Sequence, residues 1–487
     1  MSIDSNGPDA PAFRLLTEEK LRAIHDGAVH VLANVGVEVA HEGAREILLS
    51  AGGTQEAEML IKIPGGLVDD SIASAPARFS LYDRNGEEAL ELGAGHTYYG
   101  AGVTNLAYLD IEGDPHDFTL ADIGRVAFLA DALPNIGFVA TPGVIKPTRD
   151  TRIELLDQMA FLEMVTNTTM PLVVLTPDAY QMEDILEMAE LIAGGPDALR
   201  SRPFVMPYLN SVSPLVFNPE TVDKLFLAAD RGLPVCVQAA PPVGGSVPVT
   251  IAAGLVVAAA ETLMGLVLSQ LRNPGTPFVS GVVPFVMDMR SGNTATTSPD
   301  IMKMQIAMGE LTRRWGVPSL TSGAGSDSKI PDEQAGFEVP YYTQGAMLGG
   351  TDMSFSAGRL ECGLLHSPVL LVYADEAIGM HERFIRGLEV SETTLALDVI
   401  KEVGPGGFFV GHQHTRDHFR ELWEPTLTSW EPRDLWESRG STTMLERAKA
   451  KVARLREEHE GEPLPPELLV KLQAVIDRRA AQLPEED

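Results

Sequence analysis

The sequence predicts a (β/α)8 barrel with a helical and β extension at its N-terminus and a helical tail at its C-terminus. Three observations carry this. From residue 119 onward, short apolar runs alternate with segments of helical spacing, giving seven strand–helix units about 30–45 residues apart. The runs are apolar almost without interruption, as in parallel strands covered on both faces. Many start just after a proline or chain reversal and end in Gly, Ser or Asn, so each strand feeds a loop at the same end. A closed barrel, with a core of about 250 residues, explains this best. A doubly wound open sheet is the alternative, but no GxGxxG opens a helix after a strand.

The elements follow in order. Residues 16–51 look helical: Leu21, Ile24, Ala28, Val31, Leu32 and Val35 share a face, with a start at Thr17 and a second helix over 41–51 ending at Gly52-Gly53. Residues 76–111 alternate and are glycine-rich, with a hairpin signal at Arg84-Asn85-Gly86, so antiparallel strands are expected. Then come helix 119–132, strand 135–143, helix 150–166, strand 171–176, helix 178–193, strand 203–210 and helix 219–231. Strand 234–241, helix 249–272, strand 277–283, helix 299–315, strand 317–320, helix 332–348, strand 351–356 and helix 367–386 complete the seven units. After a helix at 391–402, GGFFVGHQHT (406–415) is the candidate eighth strand. Residues 443–459 read as a charged amphipathic surface helix suited to packing or oligomer contacts. The expected divisions are 1–118, the barrel at 119–415, and 416–487.

Composition narrows the function. The 487 residues are 44% hydrophobic and 22% charged, in the globular range. A net charge of −31 disfavours nucleic acid, whose phosphates require clustered Lys and Arg. The most apolar stretch, IAAGLVVAAAETLMGLVL (251–268), is interrupted by Glu261 and diluted by Ala and Gly, so it reads as a buried helix and not a membrane span. MSIDSNGPDAPAF lacks the basic and apolar regions of a signal peptide. With two cysteines, Cys236 and Cys362, no disulfide framework or thiolate-rich metal site is expected, and a cytoplasmic setting fits.

In a barrel the loops after the strand C-termini form the site. Those loops carry Tyr208, Asn210, Gln238, Phe285, Arg290, Asp327, Phe355, Arg359, Glu361 and His366. No GxSxG, HExxH or P-loop occurs. His412 and His414 would share a face of the eighth strand and could chelate a metal, but no third ligand stands nearby; hydrogen-bonded histidines fit as well. The scarce aromatics recur near this mouth: Tyr98, Tyr99, Tyr208, Phe285 and Phe355. They are either ordinary packing or a cage for a quaternary ammonium held by cation–π attraction. Asp327 or Glu361 would add charge complementarity, and Arg290 or Arg359 would take a carboxylate at the other end of a zwitterion.

With these residues in hand, the chain resembles the trimethylamine:corrinoid methyltransferase family. The resemblance spans about residues 13 to 455. It rests on FRLLTEEKLRAIHDGAVHVLANVGVEV (13–39), YYGAGVTNLAYLD (98–110), LADALPNIGF (129–138), GSDSKIPDEQAGFE (325–338), SAGRLECGLLHSPVLLVYADE (356–376), DVIKEVGPGGFFVGHQHTRDHFRE (398–421) and WESRGSTTMLERAKAKV (436–452). It implies a barrel that moves a methyl group from an amine to the Co(I) corrinoid of a partner protein, with no cofactor bound tightly by this chain. The family's trimethylamine enzymes carry pyrrolysine; this chain has only ordinary residues, and 321–330 is the corresponding neighbourhood. Relatives without pyrrolysine use quaternary amines such as glycine betaine, which are already cationic and leave as neutral amines. The resemblance therefore implies a quaternary-amine substrate. For such a substrate the loop residues read above are the expected site, with Asp327 and Glu361 as its acids and Tyr98, Tyr99, Tyr208, Asn210, Gln238, Phe285, Arg290, Phe355, Arg359, His366 and His412 around it. A homo-oligomer is expected from the terminal helices. A betaine-binding barrel without turnover and an unrelated barrel lyase acting on a carboxylate are the other classes.

Overall fold

A computed structural model describes residues 13–147 and 152–484. The N-terminal stretch read for a leader and the first turn of the helix expected at 150–166 fall partly outside them. Eight parallel strands close into a barrel in chain order. They are β1 (Tyr98–Ala101), β2 (Phe138–Ala140), β3 (Leu172–Val174), β4 (Val205–Asn210), β5 (Val235–Ala239), β6 (Phe278–Val282), β7 (Ser319–Ser322) and β8 (Met353–Ala357). Each is followed by a helix: α1 (Leu120–Asp131), α2 (Leu156–Asn167), α3 (Ala179–Ala193), α4 (Pro219–Arg231), α5 (Ile251–Arg272), α6 (Pro299–Trp315), α7 (Glu333–Gly349) and α8 (Pro368–Ile385). The barrel class and the seven strand–helix units stand as read.

The eighth strand does not. Residues 406–415 form turns leading into a short helix, Gln413–His418, and pair with no strand. The barrel is closed by β1, from the stretch expected to be antiparallel, which pairs in parallel with both β8 and β2. Two glycines make this possible. A Cβ on Gly100 would lie 2.2 Å from the Phe138 ring, and one on Gly102, at φ +86°, would lie 2.5 Å from the Ala140 carbonyl. The expected hairpin exists just before it, as Phe79–Tyr82 against Glu88–Leu92. Its Leu81, Leu90 and Leu92 join Phe138, Met206, Cys236, Val279 and Met353 in the barrel interior, so the hairpin plugs the end opposite the loops.

Two further elements depart from expectation. The helical reading of 16–51 is broken by a strand, Val37–Val39, whose alternation of buried Val, exposed Glu and buried Val is that of a strand. Gly36, at φ +89°, ends the preceding helical turn. The helix expected at 391–402 is two short pieces, Glu392–Leu395 and Leu397–Val403.

α5 is long and apolar enough to cross a membrane, yet most of it is buried. The helices Glu18–His30 and Gly65–Ser74 cover its outer side, which explains why it is apolar nearly all round. The C-terminal helices Met444–Glu458 and Pro466–Gln482 are amphipathic as read, but docked: Ala448 and Val452 of the first and Leu472, Val475 and Ile476 of the second enter the main core. Two ion pairs with a buried acid partner fix them, Lys451 with Asp375 at 3.0 Å and Arg479 with Asp184 at 2.8 Å.

Candidate active site

Strand alternation builds the site. On β4, Met206 and Tyr208 point into the barrel and Asn210 reaches its mouth, with Cys236 and Gln238 beside them on β5 and Phe355 on β8. Above the packed interior lies a cavity of about 270 Å³ at the loop end of the strands. Tyr208 and Phe355 meet edge to face, ring centroids 5.6 Å apart, and Phe285 adds a third ring from a short sheet over the mouth. Burial holds the Tyr208 phenol well above its usual pKa, so the ring stays neutral.

Polar groups are few and pointed. Arg359 lines the cavity while only 3% exposed. Its Nη1 donates to the Thr296 hydroxyl, whereas Nε and Nη2 have no hydrogen-bond partner among the described residues. Gly325 passes close beside that edge of the guanidinium; a Cβ there would come within 2.6 Å of Nε. The buried Gln238 Oε1 and Ser356 Oγ, also on the cavity, likewise lack partners. Such orphans call for explanation, because burying an unpaired polar group costs about 1–3 kcal/mol.

Asp327 stands behind Arg359 and does not line the cavity. Its carboxylate is 3.9 Å from Arg359 Nη1 and accepts from the Thr296 amide at 2.7 Å, the Thr297 amide at 3.0 Å and the Thr297 hydroxyl at 2.9 Å. The Thr296 hydroxyl also donates to it, linking acid and guanidinium. Burial pushes this carboxyl up, but the Arg359 charge and the Thr296 and Thr297 hydrogen bonds outweigh it and hold it below the ordinary carboxylate range.

Six of the residues named from sequence therefore meet in one cavity: Tyr208, Asn210, Gln238, Phe285, Phe355 and Arg359. The others lie elsewhere. Tyr98 sits toward the plugged end of β1, where its hydroxyl oxygen accepts from the Glu91 amide at 3.2 Å. Tyr99 faces the helices and donates to the Thr343 carbonyl of α7 at 2.8 Å. Arg290 is exposed in the turn over the mouth. Glu361 is in a left-handed turn beside the cavity, and its neighbours Cys362 and Gly363 do the lining. His366 is fully buried, stacked 6.0 Å from Tyr108, and burial drives its pKa down to about 3. His412 caps the helix Gln413–His418 far along the chain from any barrel strand. Among the described residues, no cluster of three His, Cys, Asp or Glu is placed to hold a metal ion.

Sequence reasoning did not single out Val103 and Thr104, which line the cavity after β1, because that strand was misplaced. The glycines at 100 and 102 were the available signal. Cys362, pushed up to about 11 chiefly by burial, presents a neutral thiol that donates to the Thr294 carbonyl at 3.0 Å.

The family model for trimethylamine methyltransferase matches residues 6–484. The chain belongs to the trimethylamine methyltransferase family. Within this family it is 30% identical over 478 residues to the glycine betaine methyltransferase of Desulfitobacterium hafniense strain Y51, covering 98% of this chain and 99% of that one. It is also 30% identical over 475 residues to the trimethylamine methyltransferase MttB of Methanosarcina thermophila, covering 96% and 98%. Among solved structures, the monomethylamine methyltransferase of Methanosarcina barkeri shares the fold: TM-score 0.51 at 9% identity, covering 90% of this chain and 86% of that one. The protein is an amine methyltransferase of this family.

Proposed function

We propose that the chain transfers a methyl group from a zwitterionic quaternary amine, of which glycine betaine is the simplest, to the Co(I) corrinoid of a partner protein in the cytoplasm. The observation that carries this is the pairing, within one small cavity, of an aromatic corner with a buried arginine that has two unpartnered nitrogens. Tyr208, Phe355 and Phe285 offer ring faces to a trimethylammonium group. Arg359 offers the carboxylate a charge-assisted hydrogen bond that would satisfy its free N–H groups. A methylamine without a carboxylate would leave Nε and Nη2 of this arginine buried without a partner.

The cavity, at about 270 Å³, suits a small amine, and the corrin macrocycle is proposed to be presented at the mouth by its own carrier. When docked, the corrinoid supplies the nucleophilic Co(I) that takes the methyl carbon. This chain's residues anchor the substrate at both ends, direct one N-methyl outward and exclude water. The C–N bond breaks with its electron pair left on nitrogen, so the leaving group is a neutral tertiary amine and needs no proton. Three rings stabilise the cation only modestly, which limits the penalty as its charge is lost in the transition state.

The test mixes the chain with chemically reduced corrinoid protein and a panel of amines, following Co(I) absorbance. Loss of the Co(I) signal with glycine betaine, and not with trimethylamine, is expected. No change with any quaternary amine, or faster loss with trimethylamine, overturns the proposal.

A further inference from the structure

One hairpin over the mouth carries a group for each end of the cavity. It runs out along Phe285–Met287, turns through 288–293 and returns along Thr294–Ala295, with Val286 opposite Ala295 and Met287 opposite Thr294. Continued one step toward the barrel, that register sets Phe285 opposite Thr296. Residues directly opposite each other on antiparallel strands project from the same face. Phe285 is the third ring of the cavity, and Thr296 is the residue whose hydroxyl accepts from Arg359. The ring for the ammonium and the hydrogen-bond partner of the arginine are therefore cross-strand neighbours.

The hairpin is anchored at its base by polar contacts. None of Phe285, Val286, Met287, Thr294 and Ala295 is buried, and residues 288–293 are exposed. The turn closes on itself: the Asp288 amide donates to the Asn293 carbonyl and the Gly292 amide to the Asp288 carbonyl, both at 2.8 Å. Thr296, by contrast, is buried, and its amide and hydroxyl both donate to Asp327. A hydroxyl has one proton, so with that proton on Asp327 the oxygen turns its lone pairs to Arg359. The Cys362 thiol holds the preceding turn of chain through the Thr294 carbonyl. On the outer side Phe285 and Val286 pair only with Pro242 and Val243, a two-residue strand. Asp327, Thr296 and Arg359 thus form one network, in which the guanidinium and the base of the hairpin cannot shift independently.

We infer that this hairpin couples the two ends of the substrate site, with Thr296 as the positioning residue that ties the Phe285 ring to the Arg359 guanidinium. The inference rests on the zwitterionic substrate proposed above and adds how its ends communicate. A carboxylate on the Nε and Nη2 edge completes the hydrogen bonds of the arginine and fixes the guanidinium. Through Thr296 it also fixes the hairpin base and the ring beside it. The cost of ordering the hairpin is then met at the carboxylate end, and the ammonium finds the ring already placed. A cation without a carboxylate has to order that ring itself. Phe355, on barrel strand β8, is placed by the barrel in either case.

The test is titration calorimetry of the full chain with glycine betaine and with tetramethylammonium, which has no carboxylate. Phe285→Leu should weaken betaine about five-fold or more beyond its effect on tetramethylammonium, the low end of ordinary coupling between sites. Phe355→Leu should weaken both cations alike. In a Thr296→Val background the extra loss of betaine on Phe285→Leu should vanish. Thr296→Ser, which keeps the hydroxyl, should retain it, as should Thr297→Val, which removes a hydrogen bond to Asp327 without touching Arg359. Should Thr296→Val not fold, the comparison of Phe285→Leu with Phe355→Leu in wild type still decides. Equal effects of Phe285→Leu on both cations, in a wild type that binds betaine, overturn this inference alone. So does an extra loss that survives Thr296→Val or disappears in Thr297→Val. A wild type that does not bind betaine overturns the substrate reading, and the inference with it.

Discussion

Replacing Arg359 by Gln separates the two ends of the proposed substrate. The guanidinium is buried, and two of its nitrogens have no hydrogen-bond partner among the described residues. A bound carboxylate would complete a desolvated ion pair, and removing one member of such a pair costs about 3–5 kcal/mol because the other charge is left buried and unpaired. Taking the lower end, about 3 kcal/mol, affinity for glycine betaine should fall roughly 150-fold, at about 1.4 kcal/mol per factor of ten. Tetramethylammonium has the cation and no carboxylate, so it loses nothing. Asp327, which faces Arg359 at 3.9 Å, would also lose its countercharge and favour a cation more strongly. The assay is initial-rate methyl transfer to Co(I) cobalamin with each substrate in wild type and variant. A large rise in KM for betaine with tetramethylammonium unchanged or improved is the expected result. Equal losses for both substrates, or no loss for betaine, refute the placement of the carboxylate. Arg290→Gln, in the exposed turn, is the matched control and should change neither.

Four further outcomes follow from the structure. Asp327→Asn removes the charge that orients Arg359 through Thr296 and should weaken betaine binding by about 1–2 kcal/mol, sparing tetramethylammonium in the same assay. Phe355→Leu keeps the cavity apolar but removes a ring, so both cations should bind about 0.5–2 kcal/mol more weakly in a titration. Glu261, fully buried on α5, accepts from Ser211, Ser213 and the Leu215 amide; Glu261→Leu strands these donors and should cost about 3 kcal/mol in urea unfolding, loosening the loop after Asn210. His366 has a folded pKa lowered to about 3 by burial, so the unfolded chain takes up a proton first as pH falls. Its contribution is full above pH about 6.5 and is lost by about 1.4 kcal/mol per pH unit below that; in wild type, urea stability should decline accordingly, and His366→Phe should remove that component.

Much of the architecture was legible in the chain because its signals are local. Apolar runs bounded by turn residues placed seven strands, and Thr119, Asn218, Ser298, Asp332 and Ser367 start their helices by accepting backbone amides. Once those strands were in a barrel, residues at their C-terminal ends had to face one mouth, which brought Tyr208, Asn210, Gln238, Phe355 and Arg359 within reach of one another. Where a decision depended on distant surroundings, local pattern failed. Tyr98–Ala101 is too short for periodicity to assign, and it becomes a barrel strand because Gly100 and Gly102 let Phe138 and Ala140 come against its backbone. GGFFVGHQHT is as apolar as a strand, yet the barrel was already closed without it, and none of its residues is buried.

The same division runs through the site. The kinds of residue at the loop ends came from the sequence; which of them face inward came from strand parity. Neighbouring side chains on a strand point to opposite faces, so Tyr99 meets α7 and never the cavity. Asp327 and Arg359 were both nameable from sequence as charged loop residues. Only packing decided that the arginine lines the cavity while the acid stands behind it, because the Thr296 and Thr297 amides and hydroxyls hold the carboxylate there and Gly325 leaves room for the guanidinium in front.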